Sequence, residues 1–175
     1  DSLERILPKL TGVDRAIVLS ELVSIYNRSD YSKLKQTIQE VKKLLSSDDK
    51  VIKAYVLLSL AIDKTSNGLN DSAIYLLKKA KEYAIQANNP RAQIRTRGAL
   101  GRFLISEGKA QEGLKNLFEA LKLLESNPDT EIEFKVRTNV SYAYLELKQF
   151  RNCIDFGNQS LGLMKNPKYD YIMLY

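Results

Sequence analysis

The sequence predicts an all-α protein, an α-solenoid of antiparallel helix pairs about four repeats long. Three observations predict it. A skeleton of small and apolar residues recurs at Leu34, Ala73, Gly113 and Cys153, at near-equal intervals of about 40 residues. The dipeptides Asn89-Pro90, Asn127-Pro128 and Asn166-Pro167 recur independently, at almost the same interval. Gly and Pro, eight and four among 175 residues, fall at punctuation points and leave long helical windows between them. Self-similarity at such a period marks stacked hairpins.

Each element then follows in order. Residues 2–12 form a capping segment: Leu3, Ile6, Leu7 and Leu10 give it an apolar side, and Pro8 limits its length. The first repeat (14–46) pairs a helix N-capped by Asp14 and running to about Arg28 with a second from Tyr31 to Leu45. Ile17, Val18, Leu22 and Ile25 face inward on the first, and Leu34, Ile38, Val41 and Leu45 on the second. The second repeat (48–88) holds the most hydrophobic helix, Lys50–Thr65, then the loop SNGLN (66–70), then a helix over Asp71–Ala87. The third (90–126) and fourth (128–165) each open on Asn-Pro, where Asn suits the N-cap and Pro the first helical position. Glu131 and Glu133 favour the dipole of the fourth repeat's first helix. The last segment, 167–175, begins on Pro167 and carries Tyr169, Ile172, Met173 and Tyr175. It reads as a truncated fifth repeat or capping helix; the other reading makes it the contact of a homodimer.

Small residues mark where helices cross closely. Gly101 and Gly113 stand one on each helix of the third repeat, and Ala120 lies two turns beyond Gly113. Ala61, Ala73 and Ala80 repeat the pattern upstream; Ser141, Cys153, Gly157 and Ser160 repeat it downstream. Cys153, in the register of Gly113, is expected to be buried and to behave as a small hydrophobe. A Leu at Gly101 or Gly113 is expected to cost about 1–3 kcal/mol by overpacking.

The segments LGRFLISEGKAQEGLKNLFEAL (100–121) and VSYAYLELKQFRNCIDFGNQSL (140–161) carry a resemblance. They resemble the tetratricopeptide repeat family, and the likeness extends over residues 14–165. The period here exceeds the usual one of about 34 residues, as in the long-repeat members of bacterial regulators. The resemblance implies a right-handed superhelix with a concave groove lined by first helices and used for ligands. Register then puts Tyr55, Leu58, Ile62 and Thr65 of the second repeat in the groove, with Leu19, Val23 and Tyr26 of the first. Arg95, Gly98, Arg102 and Ile105 follow in the third; Lys135, Thr138, Asn139, Tyr142 and Leu145 in the fourth. The groove is expected to be apolar at its N-terminal end and basic at its C-terminal end. It would suit a peptide or protein segment with apolar and acidic parts, Arg95 and Arg102 holding a carboxylate or phosphate and Asn139 a peptide backbone. The alternative is that the basic residues are solvated or pair with Glu107, Glu131 and Glu146. Arg97 and Arg137, one repeat apart, point between helices and are expected to pair with a carboxylate on a neighbouring hairpin.

Composition bounds the function. With 44% hydrophobic and 27% charged residues the chain is folded. No run approaches the roughly 18 apolar residues of a membrane helix, so no span is expected. Without histidine, the commonest acid–base and metal-ligating side chain is missing. No HExxH, GxSxG or Gly-rich phosphate loop occurs, so neither catalytic residues, metal nor cofactor are expected. A single Cys forbids an internal disulfide and leaves the compartment open. The net charge of +6 suits an acidic partner, although much of it belongs to solvated helix faces. An RNA code would need side chains recurring in register, and only Arg95/Lys135 and Arg97/Arg137 do, so nucleic acid is not the expected partner. The tyrosines read as helix packing. The leading reading is an interaction or sensing module of a bacterial signalling protein. A cytoplasmic peptide-sensing regulator or assembly scaffold is the alternative. The opening LPKLTGVDRAIVLSELVSIYNRSDYSK (7–33) also resembles the start of tetratricopeptide regions ahead of diguanylate cyclase or histidine kinase domains. That likeness favours a location outside the inner membrane, and the start at Asp1 reads as a processed protein or excised fragment.

Overall fold

The computed structural model describes residues 2–164, which form helices, turns and short loops with no strand among them. In chain order the helices are α1 (Ser2–Ile6), α2 (Gly12–Ser29), α3 (Tyr31–Lys42), α4 (Lys50–Ser66), α5 (Asn70–Gln86), α6 (Pro90–Ser106), α7 (Ala110–Ser126), α8 (Thr130–Glu146) and α9 (Phe150–Leu163). A 3-10 turn over Leu7–Lys9 follows α1. Adjacent helices pack in pairs, as expected of helical hairpins. The chain divides into two compact units, Asp1–Thr96 and Arg97–Tyr175, and the division falls inside α6.

In the first unit α2 packs on α3 and α4, and α4 packs on α5. Its core is apolar at helical spacing: Leu19, Leu22 and Val23 from α2, Leu34, Ile38 and Val41 from α3, Ala73, Leu77 and Ala80 from α5. Ile25 and Leu45, expected inward, are exposed. The Asp30 carboxylate accepts from the Lys33 amide at 2.9 Å and caps α3, while Asp49 accepts from the Val51 and Ile52 amides and caps α4. Asp14 does not cap α2; that helix starts earlier, at Gly12 after Thr11, and Asp14 sits in its first turn.

In the second unit α7 packs on α8 and α8 on α9. The Phe156 ring of α9 lies 5.8 Å from Phe118 of α7, edge-on, and 5.6 Å from Tyr144 of α8. The tie between Asn-Pro and helix starts holds once and fails once. The Asn89 side chain accepts from the Ala92 amide at 2.9 Å, with Pro90 opening α6. At the next pair Asn127 instead ends α7, its side-chain amide donating to Leu123 O at 3.0 Å. Asp129 is the N-cap of α8, accepting from the Ile132 amide at 3.0 Å, because a nearby carboxylate outcompetes Asn127 for the helix N-terminus. Asn166-Pro167 and the segment 167–175 lie outside the described residues.

One recurrence was not visible in the apolar pattern. Gly68, Gly108 and Lys148 fall one repeat apart, and all have positive φ, at 72°, 75° and 57°. Each is the left-handed residue that closes a hairpin's first helix. The amide after it reaches back to the Lys64, Leu104 and Tyr144 carbonyls respectively, at 2.8–2.9 Å. This is the doubled C-terminal cap that satisfies carbonyls a helix end leaves open. Of the three, only Lys148 carries a Cβ.

Candidate functional site

The residues expected along the first helices sort into three environments. In the first unit, Leu19, Val23, Tyr55 and Leu58 are buried. They are core residues, not lining, which corrects the expectation of an apolar groove floor at the N-terminal end. The reason is that α2 and α4 pack directly on each other, which closes these apolar side chains off from solvent. Arg95 Nη1 of α6 meets Glu21 Oε1 of α2 at 2.6 Å, and the Arg95 side chain is only 13% exposed. The pair joins helices distant in sequence, and both its charges, with Arg91, act on the Tyr55 hydroxyl. Burial raises the Tyr55 pKa above the ordinary phenol value, with Arg95 and Arg91 opposing. The hydroxyl itself makes no hydrogen bond among the described residues. Ile62 is half-buried and Thr65 exposed, the latter donating to Ala61 O at 3.0 Å. Arg91 and Glu21 were not singled out by sequence. The signal for Arg91 was present: Arg91, Arg95, Gly98 and Arg102 follow an i, i+4, i+7, i+11 spacing on one face of α6.

In the second unit Arg102 is exposed on α6, and Gly98 faces α8, where a Cβ would stand 3.7 Å from Val136 Cγ2. Along α8 the register Glu131, Lys135, Asn139, Tyr142, Glu146 forms one stripe beside the buried Ile132, Val136, Val140 and Ala143. Lys135 pairs with Glu131, and the Tyr142 hydroxyl bonds Glu146, which raises the Tyr142 pKa. The stripe therefore carries two carboxylates against one ammonium and is net negative, not basic. Asn139 sits at its centre. Thr138 is turned to the other side, with its Oγ1 3.1 Å from Ser160 Oγ of α9, so it does not share the stripe. Arg97 and Arg137 do point between helices. Arg97 Nε meets Glu119 Oε2 at 3.0 Å. Arg137 Nε donates to Glu133 at 2.8 Å, and its Nη1 to Gln159. The partners lie on their own helix or hairpin, not on a neighbouring one.

The small residues are where helices come closest. A Cβ on Gly113 would fall 2.6 Å from Ile105 Cγ1 and 2.8 Å from Gly101 O; one on Gly101 would fall 2.8 Å from Leu117 Cγ and 3.0 Å from Gly113 O. Ala61, Ala73 and Ala80 are buried on α4 and α5, and Ala120 on α7. In the fourth hairpin Ser141 Oγ donates to Cys153 O at 2.8 Å and lies 3.4 Å from Cys153 Sγ. Cys153 is half-buried, not buried. No group of His, Cys, Asp or Glu that could hold a metal occurs among the described residues, and no described helix is long and apolar enough to cross a membrane.

This arrangement defines a class: helical hairpins repeated at a constant period, paired by small residues and closed by left-handed caps. No protein-family model and no curated protein matches the sequence. Among solved structures the fold is similar to that of a Signal Transduction ATPase with Numerous Domains with a tetratricopeptide repeat sensor, from Pyrococcus horikoshii. The TM-score is 0.63 at 14% identity, over 93% of this chain and 26% of that one. The fold is thus a tetratricopeptide-like helical repeat, and the chain spans about a quarter of that protein's length.

Proposed function

We propose that the chain is a protein- or peptide-binding, ligand-sensing module of a larger signalling protein, working without catalysis of its own. The observation that carries the reading is the arginine face of α6. Three guanidiniums stand at helical spacing on one side of one helix, and Arg95 is already engaged by a carboxylate, Glu21. A group that fits Glu21 can be replaced by a like group on a partner, since Arg binds carboxylates as a fork. The partner is an acidic segment with apolar residues. Within the second unit, Arg102 on α6 with Asn139 and Tyr142 on α8 are the candidate contacts. The solved neighbour, a Signal Transduction ATPase with Numerous Domains with a tetratricopeptide repeat sensor, supports the sensing role and the attachment to further domains. The comparisons lend no support to a diguanylate cyclase or kinase attachment.

The test is fluorescence anisotropy with a labelled acidic–apolar dodecapeptide and a copy in which Gln replaces each acidic residue. Arg102→Glu and Asn139→Ala are expected to weaken binding while circular dichroism keeps its helical signal. Loss of helicity in both variants would make these residues structural and end the proposal. The salt slope separates nucleic acid from peptide: neutralising many phosphates makes log affinity fall steeply with log salt, whereas a largely apolar peptide gives a shallow slope.

A further inference from the structure

The first unit holds a cleft of about 460 Å³ among the turn after α3, α4 and α5. It lies on the far side of α4 from Tyr55: Lys53, Val56 and Leu57 line it, roughly opposite Tyr55, Leu58 and Ile62 on the helical wheel. Its origin is a missing turn. α5 is 17 residues long, so a helix of equal length starting at Tyr31 would reach residue 47, but α3 stops at Lys42. Tight i→i−3 bonds follow: Leu44 N to Val41 O at 3.0 Å, and Leu45 N to Lys42 O at 3.1 Å. Leu44 and Leu45 are left at one end of the cleft, and Tyr75 stands 61% exposed beside it.

The repeat register shows what is unusual here. In the third hairpin this position holds Arg97 bonded to Glu119, and in the fourth Arg137 bonded to Gln159. In the second the same two positions, 57 and 79, are Leu57 and Lys79. An apolar Leu57 cannot bridge to Lys79, and both side chains line the cleft instead. Lys79 pairs along its own helix with Glu82 at 2.7 Å. Lys53 reaches the fully exposed Asp48 at 3.3 Å and lies 5.7 Å from the Tyr83 ring centre. Exposed pairs of this kind add little to stability, so a ligand anion can displace them. The lining carries two lysines and one glutamate, a net single positive charge, and residues 1–96 carry 16 basic against 11 acidic side chains.

We propose that this cleft binds an amphipathic monocarboxylate of the fatty-acid kind. The apolar body lies over Leu44, Leu57 and Leu76 between the rings of Tyr75 and Tyr83, and the carboxylate sits on Lys53 and Lys79. The volume falls inside the roughly 300–1,000 Å³ of small-molecule sites, and the mix of apolar walls with few polar groups is the usual one. The site stands apart from the first-helix face and does not depend on a peptide binding there.

The experiment is displacement of anilinonaphthalene sulfonate from the full chain by dodecanoate, below its micelle concentration, and by the uncharged dodecanol. One equivalent of dodecanoate is expected to bind, with dodecanol weaker by about tenfold or more. The double variant Leu57→Arg/Lys79→Glu places the third hairpin's bridge in the second and is expected to weaken dodecanoate by about tenfold or more with helicity kept. Should that variant lose helicity, Tyr75→Glu, at an exposed position, carries the same expectation by putting a negative charge at the mouth. Arg95→Gln is expected to leave dodecanoate binding unchanged. Equal binding of acid and alcohol, more than one equivalent bound, undiminished binding in the folded cleft variants, or a matching loss in Arg95→Gln would each overturn the proposal.

Discussion

Replacing Gly113 and Gly157 by Ala, one at a time, should move stability in opposite directions. Both are interior residues of the second helix of a hairpin, and in an open helix Gly→Ala gains about 0.8–1.0 kcal/mol. At Gly113 the new methyl would stand 2.6 Å from Ile105 Cγ1 and 2.8 Å from the Gly101 carbonyl oxygen. Ile105 is buried, and a backbone oxygen in mid-helix cannot turn away, so the helices must separate. Overpacking of this kind costs about 1–3 kcal/mol, and the clash with a fixed backbone oxygen puts the cost toward the upper end, leaving a net loss of up to roughly 2 kcal/mol after the propensity gain. At Gly157 the methyl would meet only Ser141 Oγ, at 3.5 Å, an ordinary contact. Most of the propensity gain should survive there, about 0.5–1 kcal/mol. Urea denaturation followed by circular dichroism at constant m-value measures both, and each kcal/mol moves Tm by about 2–4 °C in a chain of this size. A Gly113→Ala variant as stable as Gly157→Ala would refute the claim that backbone approach, not helix propensity, fixes the residue at 113.

Three further outcomes follow from the same coordinates. Lys148→Gly should raise stability by about 1 kcal/mol in a thermal melt, because Lys148 holds a φ of 57° that costs a side-chain-bearing residue about 1–2 kcal/mol; no gain would mean the lysine side chain compensates. Tyr55→Phe should leave stability unchanged or raise it by up to about 1 kcal/mol, since a buried hydroxyl with no bond only carries its desolvation cost; a clear loss would show that it has a partner. Glu40→Gln should lower Tm by about 1–2 °C at pH 7. Hydrogen bonds from Lys43 and then Arg15 hold the Glu40 pKa below its ordinary value. That contribution is full above the unfolded value of about 4.3 and is lost as pH falls through the lower folded one. The difference between variant and wild type should therefore shrink below about pH 4, and a gap constant from pH 7 to pH 3 would count against the ion pair.

The hairpin architecture was legible because two signals coincided: small residues at fixed intervals and punctuation between helices. Helix ends were less so. Asn127-Pro128 looked like a start, yet Asp129 stood close by and a charged cap wins over an amide at a positive dipole end. The site was only half legible. Helical register assigns Arg95, Arg102, Lys135, Asn139 and Tyr142 to faces of their helices. It could not show that Glu21, far from Arg95 along the chain, would meet it, or that Tyr55 and Leu58 would be buried. Periodicity reports which face of a helix a residue occupies, not how far the next helix stands from it. The cleft beside α4 was hidden for a related reason: it arises from a turn that α3 does not make.

The facing glycines of α6 and α7 have a mechanical consequence. Each carbonyl sits where the other residue would carry its methyl, so sliding or rolling one helix on the other drives oxygen into backbone carbon. That crossing acts as a pin. In the last hairpin the corresponding joint is a hydroxyl bonded to a carbonyl, a link that can lengthen and re-form. Any bending within the second unit should therefore be taken up between α8 and α9, while α7 follows α6 as one piece.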